Sequence, residues 1–195
     1  MRILIAPDSF KGTMTSSEVC RVVATEIKEL RPDAEVVCLP VADGGEGSVD
    51  AFAAALGERA QIVTVKGTDS FGCVRHDMKI CVFGKTAVIE TAQSVGLQPN
   101  RLDIMNSTTY GVGALIKAAL DAGCRKLIFC LGGSGTNDMG AGAACAMGAK
   151  FYDRNGSELI PKSGGLSGIG SVDLSGLDAR LHESEIIGAC DVTNP

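Results

Sequence analysis

The chain has 195 residues, 45% of them hydrophobic and 21% charged, with a formal net charge of −5, which suits one large domain or two small ones with a proper core. No basic stripe is present to neutralise phosphates, so a nucleic-acid partner is not expected, and 25 Gly against 6 Pro is not a linker composition. No apolar stretch approaches a membrane span, and Pro7 and Asp8 interrupt the apolar start too early for a signal peptide, so a soluble protein with no membrane partner is expected.

Arg2 to Ala6 reads as a buried strand that ends in the polar loop Pro7–Gly12. Thr15-Ser16-Ser17-Glu18 has capping-box spacing and opens an amphipathic helix to about Leu30. Ala34–Leu39 is a second strand, followed by the loop Pro40–Gly47, a small-residue helix over 48–56 and a third strand at Ile62–Val65. This alternation favours a parallel α/β sheet. From about Gly67 the pattern turns mixed, and a boundary between two lobes is placed there. Strands at 76–82 and 86–90 flank a hairpin turn at Phe83-Gly84-Lys85, and a helix runs from about Thr109 to Leu120. Lys126–Leu131 is a buried strand leading to Gly132-Gly133-Ser134-Gly135-Thr136-Asn137-Asp138 and a helix over 140–147. A second hairpin signal lies at 153–156, and 163–171 reads as a mobile Gly/Ser-rich surface loop. Glu185–Cys190 is a last strand with no helix after it to cover it, which predicts that further chain belongs beyond Pro195.

The eight Cys form no CxxC pair, and with only 2 His there is no metal-ligand spacing. Reduced thiols in a cytoplasmic protein are the expectation. Four polar segments that follow strands each carry an acid: Asp8, Asp43, Asp138 and Asp191. Ligands of open α/β sheets bind beyond the carboxyl ends of strands, so a shared site is expected. Singly, each Asp could equally be a cap or an Asx turn. The glycines at 132–135 suit backbone amides facing an anion, or simply a tight turn. They are no dinucleotide fingerprint, since the third Gly position holds Asp138, which disfavours a nicotinamide dehydrogenase. Gly84-Lys85-Thr86 lacks the upstream Gly and the following helix of a P-loop. Lys11 is the cation best placed to meet phosphate, with a solvated surface Lys as the alternative. His76 and His182 read as surface or structural residues, and Glu90 as either a strand edge or a site residue.

Four segments carry a resemblance: Ala6-Pro7-Asp8-Ser9-Phe10-Lys11-Gly12, Pro40-Val41-Ala42-Asp43-Gly44-Gly45-Glu46-Gly47, Gly132 to Asp138, and Ala189-Cys190-Asp191-Val192-Thr193-Asn194-Pro195. In this order they resemble the bacterial glycerate kinase family, as do Ala87-Val88-Ile89-Glu90 and Thr108-Thr109-Tyr110-Gly111. The resemblance spans the chain, with Gly135 where Ala is usual and Met139 where Gly is usual. Members of that family are roughly twice as long, so the resemblance is to an N-terminal half.

The resemblance implies an α/β fold of two lobes around a cleft. One is a flavodoxin-like parallel sheet, incomplete here and begun by residues 1–66. The other is a mixed α/β lobe over 67–195 that carries the Gly-rich phosphate loop and is truncated at its C-terminal end. The implied reaction is ATP-dependent phosphorylation of D-glycerate with Mg²⁺, at the 2- or the 3-position. Gly132, Gly133 and Ser134 would hold ATP phosphates through backbone amides, with Asn137 and Asp138 beside them. Lys11 would offset charge on the transferred group. One of Asp8, Asp43 and Asp191 would accept the glycerate hydroxyl proton, and others would bind Mg²⁺ directly or through water. Ser9, Gly44, Gly45, Glu46, Glu90 and Asn137 would wall the pocket. The alternative is a non-catalytic phosphate- or nucleotide-binding module on the same scaffold. An incomplete sheet would also expose an edge, making inactivity of the isolated chain and a homodimer expectations.

Overall fold

Strand β1 (Arg2–Ile5) pairs in parallel with β2 (Glu35–Cys38), and helix α1 (Ser16–Leu30) makes the connection between them. The computed structural model describes residues 1–73, 75–98 and 100–190. Helix α1 begins at a complete capping box. The Glu18 amide donates to the Thr15 hydroxyl at 3.2 Å, and the Thr15 amide donates to the Glu18 carboxylate at 2.8 Å. Two N–H groups that a helix start would leave unpaired are thereby satisfied. Val19 and Cys20 are buried on α1 and Ile5 on β1, whereas Leu4 points to the other face of the strand and is 62% exposed.

The remaining elements are α2 (Ser48–Leu56), β3 (Gln61–Thr68), β4 (Arg75–Phe83), β5 (Thr86–Glu90), α3 (Ala92–Val95), α4 (Val112–Asp121), β6 (Lys126–Cys130), α5 (Ala141–Ala146), β7 (Lys150–Asp153), β8 (Glu158–Leu159), β9 (Ile169–Asp173) and β10 (Glu185–Ala189). Five strands form one mixed sheet in the order β10-β6-β5-β4-β3. In it β5, β6 and β10 are parallel, while β4 runs antiparallel to both neighbours. A separate antiparallel sheet has the order β8-β7-β9.

The central strands of the five-stranded sheet, β4, β5 and β6, are covered on both faces. Met78, Ile80 and Val82 alternate toward a core shared with Ile89, Leu127 and the α4 residues Leu115, Ala119 and Leu120. Cys81, Val88 and Cys130 point the other way, against Val49, Phe52 and Leu56 of α2. Burial on both faces explains why β5 and the end of β4, Ile80 to Phe83, read as continuous apolar runs. Each fully buried Leu or Ile here contributes about 1.5–3 kcal/mol.

Two sequence expectations are corrected. Helix α2 and β3, placed with the first sheet by the strand–helix alternation, join the five-stranded sheet instead: β3 pairs along its length with β4, and α2 packs on β4 and β5. The change from one sheet to the other therefore falls after Cys38 and before Ser48. A short loop joins β3 to β4, which permits an antiparallel neighbour, whereas a parallel one needs a long crossover. The second correction is at 163–171, expected as a mobile loop. Ser163–Gly168 forms 3₁₀ turns and β9 pairs with β7, because a β-ladder needs backbone groups rather than large side chains.

Candidate active site

The loops after β2 and β6 meet backbone to backbone. The Gly132 amide donates to the Gly44 carbonyl at 2.9 Å. A Cβ on Gly132 would lie 2.8 Å from the Gly45 Cα, closer than real side chains come. Gly44 has φ +89°, and a Cβ there would meet the Ala189 carbonyl at 3.1 Å. Glycines at 44, 45 and 132 thus let the ends of β2, β6 and β10 close on one another.

Asp43 is anchored in this junction, its carboxylate accepting the Gly45 amide at 2.9 Å. It borders a cavity of about 430 Å³ together with Gly44, Ser48, Cys130, Ala189 and Cys190. On the other side of the loop lies a larger cavity of about 650 Å³. Ser9, Lys11 and the first turn of α1 form one wall; Glu46, Gly47 and Asp50 form another; Lys79, Glu90 and Gln93 form the floor. Both volumes fall in the range of small-molecule sites.

Glu90 is 4% exposed at the end of β5. Its carboxylate accepts the Val49 amide at 3.1 Å, at the start of α2, where N–H groups and the helix dipole favour negative charge. Burial pushes its pKa above 4.5; the amides of Val49 and Gly47 oppose that shift, Asp50 adds to it and Lys79 opposes it. Burial, a raised pKa and a place on a cavity together make Glu90 a candidate functional acid or base. Lys79 itself pairs with Asp50 at 2.6 Å. Its backbone is clamped by Gln93, whose amide accepts from the Lys79 N–H at 2.8 Å and donates to the Lys79 carbonyl at 2.9 Å. His76 is structural, a ring nitrogen lying 2.6 Å from the Gln93 carbonyl oxygen.

The Gly-rich loop is braced on both sides. The Gly135 amide donates to Val95 at 2.7 Å, the Leu97 amide to Gly133 at 2.9 Å, and the Asn137 amide to the Ser163 hydroxyl at 3.0 Å. The amides of Gly133 and Ser134 have no partner among the described residues. Gly132 differs from expectation, because its amide is committed to Gly44. Asp138 differs too: it is 1% exposed, and its carboxylate accepts the amides of Thr109 at 2.7 Å and of Gly140 and Gly142 at 3.1 Å. That carboxylate faces the protein interior and ties the loop to the segment before α4.

The expected residues therefore divide. Ser9, Lys11, Glu46 and Glu90 come together on the larger cavity, Asp43 and Gly44 on the smaller one, and Gly45 joins them to Gly132. Asp8 is exposed, its carboxylate accepting the Ser9 amide at 2.6 Å. Asp191 lies outside the described residues. Lys79, Asp50 and Gln93 were not anticipated. The one signal was Lys79 interrupting the apolar run of β4, which marks a position where the face leaves the core.

The profile described as the Glycerate kinase family matches residues 3–195. Glycerate 2-kinase of Escherichia coli K12 and glycerate kinase of Bacillus subtilis 168 are each 44% identical over 200 residues, covering 100% of this chain and 52% of theirs. A crystal structure from Salmonella typhimurium LT2 matches with a TM-score of 0.81 and 42% identity, over 100% of this chain and 53% of that one. The chain thus spans about half the length of these relatives. Among the described residues no helix is long and apolar enough to cross a membrane. With a family profile matching nearly its whole length, the chain belongs to the glycerate kinase family.

Proposed function

We propose that this chain carries the acceptor and phosphate loops of an ATP-dependent kinase that phosphorylates D-glycerate in the cytoplasm. The observation that carries the reading is the larger cavity, where Ser9, Lys11, Glu46 and Glu90 from three separate segments face one space of about 650 Å³. A small hydroxy acid fits it, and the cation of Lys11 would offset charge on the group in transfer, where positioning and electrostatics dominate. The amides of Gly133 and Ser134 would receive phosphate oxygens, while Gly132 holds the loop against Gly45. Asp138 and Asn137 would act by fixing that loop.

The proton of the glycerate hydroxyl needs a carboxylate within reach. Asp8, Asp43 and Asp191 remain the candidates drawn from the family resemblance, and the raised pKa of Glu90 on the cavity floor adds a fourth. Among the described residues no group of three or more His, Cys, Asp or Glu could hold a metal. Mg²⁺ that arrives with nucleotide phosphates needs only one or two carboxylates, and Asp43, beside the Gly132 junction, would supply one. When bound, it would neutralise phosphate charge. Product analysis distinguishes transfer to the 2-hydroxyl from transfer to the 3-hydroxyl.

Coupled ADP release by the full-length gene product with D-glycerate, L-glycerate and hydroxypyruvate tests the proposal, with ATP binding followed by calorimetry. D-glycerate-dependent ADP release that is lost in Lys11→Ala is expected. ATP binding without phosphoglycerate from the full-length gene product would replace the kinase by a nucleotide-binding module.

A further inference from the structure

We propose that Cys38 and Cys20 are an oxidant-responsive thiol pair: a hydroperoxide oxidises Cys38, and Cys20 then closes a disulfide that staples α1 to β2. Cys20 and Cys38 are not joined by a disulfide in this structure, so the staple is an acquired modification. The pair is defined by position. The Cys38 thiol donates to the carbonyl of Cys20 at 3.6 Å, and the Cys20 thiol donates to the carbonyl of Ile5 at 3.7 Å. Ile5 is the register partner of Cys38 across the β1–β2 pair. Both sulfurs therefore occupy the same narrow seam between helix and strands.

Their environments differ in the way a two-step oxidation requires. Cys38 is exposed and meets a solvent-borne oxidant first, whereas Cys20 is only 3% exposed and waits behind it. Burial, and then the neighbouring Cys38, push the Cys20 thiol up, so the first attack falls to Cys38. In the first step the Cys38 thiolate attacks the outer peroxide oxygen. The O–O bond breaks, an alcohol or water leaves, and Cys38 becomes a sulfenic acid. In the second step the Cys20 sulfur displaces the sulfenic oxygen, which departs as water with the Cys20 proton. Two thiols are oxidised and one hydroperoxide is reduced.

The staple would act on the neighbourhood of the cavity. Cys20 lies one turn after Ser16, whose hydroxyl donates to the Val41 carbonyl at 3.0 Å, and the residues before it line the larger cavity. Cys38 begins the stretch that leads to Asp43 and Glu46. A covalent bond between them would fix the wall of α1 to the loop after β2.

The inference needs no catalytic activity, so its test is separate from that of the kinase reading. The purified chain is treated with hydrogen peroxide at near-equimolar dose and mapped by mass spectrometry without reduction. A Cys20–Cys38 linked peptide, loss of two titratable thiols and reversal by dithiothreitol are expected. In Cys20→Ser, a dimedone adduct should accumulate on Cys38; in Cys38→Ser, Cys20 should stay a thiol at the same dose. Circular dichroism checks that the variants fold, and the wild-type map decides alone where a variant does not. Absence of the linked peptide, or oxidation that leaves Cys38 a thiol while other cysteines react, overturns the proposal.

Discussion

The carboxylate of Glu90, at the end of β5, accepts the backbone N–H of Val49 at 3.1 Å, joining positions 41 residues apart at the first turn of α2. This bond seats a buried acid on the floor of the larger cavity. Burial raises its pKa above 4.5, so the folded state holds that proton more tightly than the unfolded chain. Its stabilising contribution is therefore complete below 4.5 and is lost as pH rises through the raised value. Urea midpoints measured from pH 4.5 upward should fall more steeply for the wild type than for Glu90→Gln. Parallel slopes would mean that Glu90 titrates like a solvated side chain.

Asp138 braces the Gly-rich loop against Thr109 and Gly142. Asp138→Ala leaves those amides buried without an acceptor and should cost about 2–4 kcal/mol. Chemical denaturation measures this directly, and a loss below 1 kcal/mol would show that water replaces the carboxylate.

Gly132 has no room for a side chain, since a Cβ would sit 2.8 Å from the Gly45 Cα. The atoms it would meet belong to the backbone of Gly44 and Gly45 and cannot swing aside. Gly132→Ala should therefore destabilise by about 1–3 kcal/mol and weaken ATP binding by displacing the loop. Unchanged stability together with unchanged binding would contradict the backbone contact.

Met139 adopts φ 57° as a non-Gly residue and is 89% exposed. Its side chain gains almost no burial to offset the left-handed backbone. Met139→Gly should raise stability by up to about 1 kcal/mol, read as a higher melting temperature. A lower one would reveal a contact made by the methionine.

The unit of β1, β2 and α1 has only two strands, with Leu4 62%, Val22 48% and Val23 38% exposed. Open strand edges and apolar faces recruit other chains. Light scattering on the purified 195-residue chain should give a dimer or larger mass, and Leu4→Lys should reduce it. A monomer at all concentrations would show that these surfaces tolerate water.

Local order was readable from residue order alone. The capping box at Thr15–Glu18, the hairpin at Gly84 and the β5 and β6 runs rest on neighbours in sequence, whose chemistry a linear reading contains. The four motif loops also identified the family, because their residues are contiguous. Sheet membership was different. The alternation around α2 and β3 fits either sheet, and only pairing with β4 decided it. The same holds for the site: Lys79 and Asp50 are distant in sequence and became partners when α2 packed on β4. In the sequence Asp138, in the Gly-rich segment, and Glu90, at a strand end, are both open to a site role. Both are buried, and packing separates them, turning Asp138 onto the amides around α5 and setting Glu90 against the larger cavity. Burial and partner choice depend on which elements meet, and that is settled by packing of the whole sheet rather than by any one segment.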